Sequence, residues 1–178
     1  TDEQQTVYSN PTPARLRHAG KCTMIRTPDP PFVVGANLPW LQYGCDFGAN
    51  AWQPGGGVAC LERRERLDQA MSRLADNGLS IVRWFLLCDG RSGVRFTQDG
   101  TPVGLDDCFW RDLEAGVEAV RRHRLAVAFV LFDFWWWRRR RRVAGVVCGG
   151  HRRTTTRGPR RDALIDRVVA PILARCAG

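Results

Sequence analysis

The stretch Leu61-Glu62-Arg63-Arg64-Glu65-Arg66-Leu67-Asp68-Gln69-Ala70-Met71-Ser72-Arg73-Leu74-Ala75-Asp76-Asn77-Gly78-Leu79-Ser80-Ile81-Val82-Arg83-Trp84-Phe85-Leu86-Leu87 decides the fold. Leu67, Ala70, Met71 and Leu74 fall at i, i+3, i+4 and i+7, one face of a helical period. Gly78 supplies the left-handed residue that ends such a helix. The run from Leu79 to Leu87 is short, apolar and β-prone. A nearly continuous apolar strand after a helix predicts a parallel sheet covered on both faces. Arg83 interrupts it. A cation in a buried strand needs a partner, and the C-terminal end of a strand is where α/β folds place their sites.

The same unit recurs on either side. Residues 32–38 read as a first strand, stopped by Pro39. A long loop follows, holding Trp40, Tyr43, Asp46, Phe47, Trp52 and Gly55-Gly56-Gly57. Residues 88–104 read as a loop with turns at Asp89-Gly90 and Asp99-Gly100. A helix is expected from about Asp107 to Arg122, capped by Asp106 or Asp107, with Phe109, Leu113, Val117 and Val120 inward. Residues 125–132 form the third strand. A third loop carries Trp135-Trp136-Trp137, five arginines at 138–142 and glycines up to Gly150. The last helix opens near Pro159 and turns Leu164, Ile165, Val168 and Ile172 inward, with a kink at Pro171.

Residues 1–31 carry five prolines and no periodicity, and read as an extended arm or linker. Residues 32–178 form the domain proper. The 178 residues suffice for one sizeable core. No apolar run approaches the roughly 20 residues of a membrane span, and no secretory leader is evident. The chain opens on Thr1, which leaves upstream processing open. Seven irregularly spaced cysteines do not make a disulfide framework. The +9 charge is uneven: residues 1–120 are net −3, residues 121–178 net +12. Strands beginning near 32, 81 and 125 give three strand–helix units, where a closed eightfold barrel needs about 250 residues. The expected class is therefore α/β: a partial (β/α)8 TIM barrel of parallel strands, its first three units. An open three- or four-stranded α/β sheet is the alternative.

Gly35-Ala36-Asn37-Leu38-Pro39-Trp40 at the first strand, Val82-Arg83-Trp84-Phe85 in the second and Asp89-Gly90 after it resemble the start of a cellulase-like glycoside hydrolase of the family 5 type. That family lies within the clan of retaining (β/α)8 hydrolases, and the second-strand segment is also similar to that of related mannanases. The resemblance implies that Arg83 orients a nucleophilic carboxylate. A guanidinium suits that role, since it binds a carboxylate bidentately and keeps it ionised. It also implies that Asn37 and Trp40 lie near the substrate floor. Asp89, Asp133 and Trp135 would line the same saccharide site. The third strand ends Phe132-Asp133-Phe134, where many relatives end in His. The family's acid/base Glu follows an Asn at the fourth strand and its nucleophile Glu ends the seventh; neither strand is expected in this chain. Alone, then, it should not hydrolyse glycosides by the family mechanism. No cofactor and no metal is implied.

Other constellations carry less. Asp89 and Asp133 follow adjacent strands and could form a pair with one raised pKa. The seven tryptophans offer sugar platforms or loop packing, and three consecutive Trp leave at least one exposed. Trp135 to Arg142 mixes rings and cations as a nucleic-acid patch would, but Arg-over-Trp stacking within the loop accounts for it equally. Cys148 and His151 are too few for a zinc site. The triglycine reads as a mobile loop rather than a phosphate cradle. His123 reads as a surface residue at a helix C-terminus. The expected partner is a saccharide substrate, not a membrane. A non-catalytic carbohydrate-binding or self-associating partial barrel is the second reading, since open strand edges invite a partner. Nucleic-acid binding through the Arg-rich last third is the third. The compartment is not legible.

Overall fold

The computed structural model describes residues 32–156 and 158–177. The arm expected at 1–31 lies outside the described residues. Strands β1 (Gly35–Asn37), β2 (Ile81–Phe85) and β5 (Ala126–Val130) form a three-stranded parallel sheet in the order β1-β2-β5. Helix α1 (Leu61–Asp76) joins β1 to β2, and α2 (Asp107–Arg122) joins β2 to β5. Two antiparallel hairpins follow strand ends: β3 (Val94–Phe96) with β4 (Pro102–Leu105), and β6 (Arg141–Val143) with β7 (Val146–Cys148).

The sheet is covered on one face, not on both. Val82 and Trp84 are fully buried and stand in register with Val127 and Phe129. Phe47, Leu67, Met71, Phe109, Leu113 and Val120 complete this core. The alternate residues Asn37, Arg83, Ala126 and Ala128 look out from the other face and are exposed. Strand periodicity explains the correction: successive side chains point to opposite faces. The second face lies open at these four positions, and only toward the strand end is Phe85 buried there, beside Trp40 and beneath Arg83. Arg83 is thus an exposed cation, not a buried one.

Local chemistry sets the element ends. Gly78, with φ +76°, closes α1, and the Leu79 N–H reaches back to the Leu74 carbonyl. Asp106 caps α2 by accepting from the Phe109 N–H at 2.7 Å. The first strand is shorter than its apolar run. Among the described residues it is an edge strand with one paired side, and Phe32, Val33 and Val34 are exposed.

The last helix, α3, spans 159–176. It runs as Pro159–Leu164, a π turn at Ile165–Val169 and Ala170–Cys176. Proline at 171 lacks an N–H and crowds the carbonyl four residues back. The widened turn sits immediately before it, with Ala170 N–H donating to Ile165 O. This displacement turns Ile165 outward, while Leu164, Val168 and Ile172 face the core as expected.

Both hairpins replace segments read as loops. The first turns at Asp99-Gly100, where Thr97 and Thr101 hydroxyls bind the Asp99 carboxylate. The second turns through Ala144 and Gly145, both at positive φ, the geometry of a two-residue hairpin loop. The triglycine is also not a free loop. The Gly57 and Ala59 N–H groups, with that of Gly48, donate to Asp112 on α2 at 2.7–2.8 Å. Those donors are spent internally, which removes the phosphate cradle. No described helix is long and apolar enough to cross a membrane.

Candidate active site

The C-terminal strand ends gather one continuous ledge. Asn37 and Arg83 are register partners on β1 and β2, and Arg83 Nη1 donates to Asn37 Oδ1 at 3.0 Å. The Arg83 guanidinium also lies 4.4 Å from the Phe85 ring centre. Trp40, 37% exposed, leans toward Phe85 and meets Tyr43 edge-on at 4.7 Å. Backbone pairing holds this corner, because Pro39 O accepts from Phe85 N–H and Leu38 N–H donates to Arg83 O.

Beyond the ledge the strand-end carboxylates are already engaged. Asp89 is buried and accepts two side-chain bonds from Arg91, at 2.8 and 2.9 Å. The Arg91 guanidinium carbon lies over Tyr43, 4.4 Å from the ring centre, and 5.6 Å from that of Trp52. Asp133 is buried too; it accepts from the Tyr43 hydroxyl at 2.7 Å and from Trp135 N–H at 2.7 Å. Burial, then the bond to Asp133, holds the Tyr43 phenol far above its ordinary range, so it remains a donor. Cys88, just before Asp89, takes a left-handed φ of 46°, uncommon outside glycine. The chain turns there as it leaves the strand.

Each expected residue therefore has a definite place. Asn37, Arg83 and Trp40 are open to solvent on one surface. Asp89 and Asp133 sit behind it, tied to Arg91 and Tyr43. Trp135 is half-buried, with Arg141 and Arg138 over it at 4.9 and 5.5 Å. The Arg-over-Trp account of that loop thus holds. Of its neighbours, Trp136 is fully buried and Trp137 exposed. Tyr43 and Arg91 were not singled out from the sequence. Arg91 follows Asp89 by two positions, a spacing that marks no particular element. His123 binds Asp68 at 2.9 Å and is not a free surface residue.

A two-carboxylate site needs two ionisable acids facing one space. The described glutamates, Glu62, Glu65, Glu114 and Glu118, all lie on α1 and α2 behind the sheet. Among the described residues no three His, Cys, Asp or Glu come together to hold a metal ion. The ledge offers aromatic rings, an amide and a guanidinium, that is, flat apolar faces beside hydrogen-bonding groups.

Parallel strands joined by helices give a mixed α/β fold, and the chain shares it with part of TIM-barrel mannanases. Solved structures that superpose on it include β-mannanases. The β-mannanase of the blue mussel Mytilus edulis superposes with TM-score 0.61 at 22% identity, covering 79% of this chain and 36% of that one. The endo-1,4-β-mannanase of Eisenia fetida gives 0.64 at 22%, covering 83% and 37%. In sequence, the mannan endo-1,4-β-mannosidase of Mytilus edulis is 28% identical over 102 residues, 57% of this chain. The chain spans about a quarter of that relative's length, 26%. No family model matches the sequence. The resemblance to family 5 glycoside hydrolases is thus borne out as a likeness to mannanases over part of the chain.

Proposed function

We propose that this chain is the front part of a (β/α)8 glycoside hydrolase, its first three strand–helix units, whose whole domain cleaves β-linked mannan with retention. The observation that carries the proposal is the Arg83–Asn37 pair, hydrogen-bonded at 3.0 Å in register on the open face. It holds a guanidinium where further strands would bring a carboxylate. The likeness to mannanases and the share of their length that is spanned support the same reading.

Arg83 is the positioning residue. One of its N–H groups is spent on Asn37, and the rest of the fork remains to bind the nucleophile and keep it ionised. Trp40 and Asn37 form the sugar floor. Asp89 and Asp133 act indirectly, by fixing Arg91 and Tyr43 beside Trp40. The acid/base and nucleophile, which a retaining site sets roughly 5 Å apart, come from outside the described residues.

The test is hydrolysis of β-1,4-mannan by the product of the reading frame extended past Gly178. Retained anomeric configuration is expected, and Arg83→Ala should lower kcat by about 100-fold, since such a residue orients the reacting group. Inversion, or full activity in that variant, would sink the assignment.

The second reading, a non-catalytic saccharide-binding or self-associating partial barrel, has its own support. The sheet presents one uncovered face and, among the described residues, unpaired edges on β1 and β5.

A further inference from the structure

A cleft of about 860 Å³ lies between the two hairpins and the start of α3, apart from the Asn37–Arg83 pair. Its walls carry Arg91, Arg140, Arg142, Arg153 and Arg160 against a single carboxylate, Asp99. Two of these cations are compensated: Arg91 by Asp89, and Arg160 by Asp99 at 3.2 Å. Among the described residues Arg140, Arg142 and Arg153 reach no carboxylate. Arg142 donates only to the Gly145 carbonyl, at 3.3 Å. Three uncompensated cations around one concavity repel each other and focus a positive potential into it.

The aromatic groups of the cleft are turned on one another. Phe96 stacks on His151 at 4.3 Å, and Trp136 packs on both. His151 is 8% exposed, and its Nε2 has no hydrogen-bond partner. With Trp136 and His151 buried and one face of Phe96 spent on His151, these rings offer a poor platform for unstacked bases, which single-stranded nucleic-acid sites use. Arg91 joins the cleft to the ledge, because it lies over Tyr43 and Trp52.

We propose that the cleft binds an oxyanion substituent, a sulfate, phosphate or carboxylate, carried on a saccharide, with Arg140, Arg142 and Arg153 as its ligands. Guanidinium forks match such groups in charge and geometry. The choice of a saccharide as carrier rests on the ledge being a sugar surface; the anion site itself stands on the arginines.

Titration calorimetry of the full 178-residue chain tests this with 6-O-sulfated mannotriose, neutral mannotriose, inorganic sulfate and a single-stranded DNA dodecamer. The sulfated sugar should bind at least about tenfold tighter than the neutral one, the effect of roughly one charge-assisted contact. The double variant Arg140→Ser/Arg153→Ser should erase that difference and leave neutral mannotriose unchanged. Both arginines are exposed, so the variant should retain its fold. Equal affinities for the two sugars, or a gain that survives the double variant, would overturn the site. Inorganic sulfate binding as tightly as the sulfated sugar would overturn the saccharide carrier, and so would tighter, arginine-dependent binding of the DNA. Arginine-dependent binding of the sulfated sugar with none of the neutral one would support the cleft while removing the neutral-mannan reading of the ledge.

Discussion

His151 is a buried imidazole with one ring nitrogen left without a hydrogen-bond partner. Burial lowers its pKa from 6.5 to about 4, against the pull of Asp89 and with a small push from Arg140. It is therefore neutral at pH 7 in the fold. An unfolded chain takes up its proton near pH 6.5 and the folded one does not, so stability is complete above that pH and lost as pH falls toward 4. A shift of that size corresponds to roughly 3–4 kcal/mol. Asp46 and Asp112 act in the opposite sense. Burial raises both carboxyls, although each accepts three hydrogen bonds that favour the ionised form. The native state holds their protons longer, so they withdraw stability as pH rises through and above the ordinary carboxyl range. Urea unfolding at pH 7 and pH 4.5 separates these effects. His151→Leu should lose less stability on acidification than the wild-type chain; an equal loss in both would contradict the buried, neutral imidazole. None of this was readable beforehand, because Cys148-Gly149-Gly150-His151 shows two ligand types and no burial.

At the scale of elements, Trp84 ties the strand to the loop before α1. It is wholly buried, and its Nε1–H donates to Asp46 at 2.8 Å. Trp84→Phe should cost about 2–4 kcal/mol in unfolding free energy, from the cavity and from a buried carboxylate missing one donor. A cost under about 0.5 kcal/mol, the size of a neutral surface change, would show that the Asp46 anchor is not needed. The helices and parallel strands were legible because their periods are 3.6 and 2 and their ends carry glycine, proline and aspartate. Asp99-Gly100 was seen as a turn, but its flanks Val94–Phe96 and Pro102–Leu105 are too short to register as strands. The β6 strand was hidden in the arginine run, where charge masks the Ala144-Gly145 turn signal. The π turn follows from Pro171, but nothing in the sequence fixes its width of five residues, Ile165–Val169.

For the whole molecule, the decisive feature is the one-sided sheet. Its helical face holds the core, and its other face carries Asn37, Arg83, Ala126 and Ala128 beside Ile81 and Phe85. Sequence periodicity located both sets, but the apolar run suggested two covered faces because Ile81 and Phe85 are hydrophobic on the open side. With two unpaired edges among the described residues, the chain should self-associate as its concentration rises. Sedimentation velocity from micromolar to hundreds of micromolar should show a rising weight-average mass; a constant monomer throughout would remove the self-associating reading. The Arg-rich last third should make its contacts with anions sensitive to salt.

As proposed, the strand ends form a saccharide ledge with no catalytic carboxylate pair among the described residues. Proton NMR of mannohexaose mixed with the 178-residue chain decides this. Perturbed mannose resonances that vanish with Trp40→Ala are expected, and no new reducing-end signals over days. New reducing ends accumulating in proportion to the chain's concentration, or no perturbation at millimolar sugar, would contradict it.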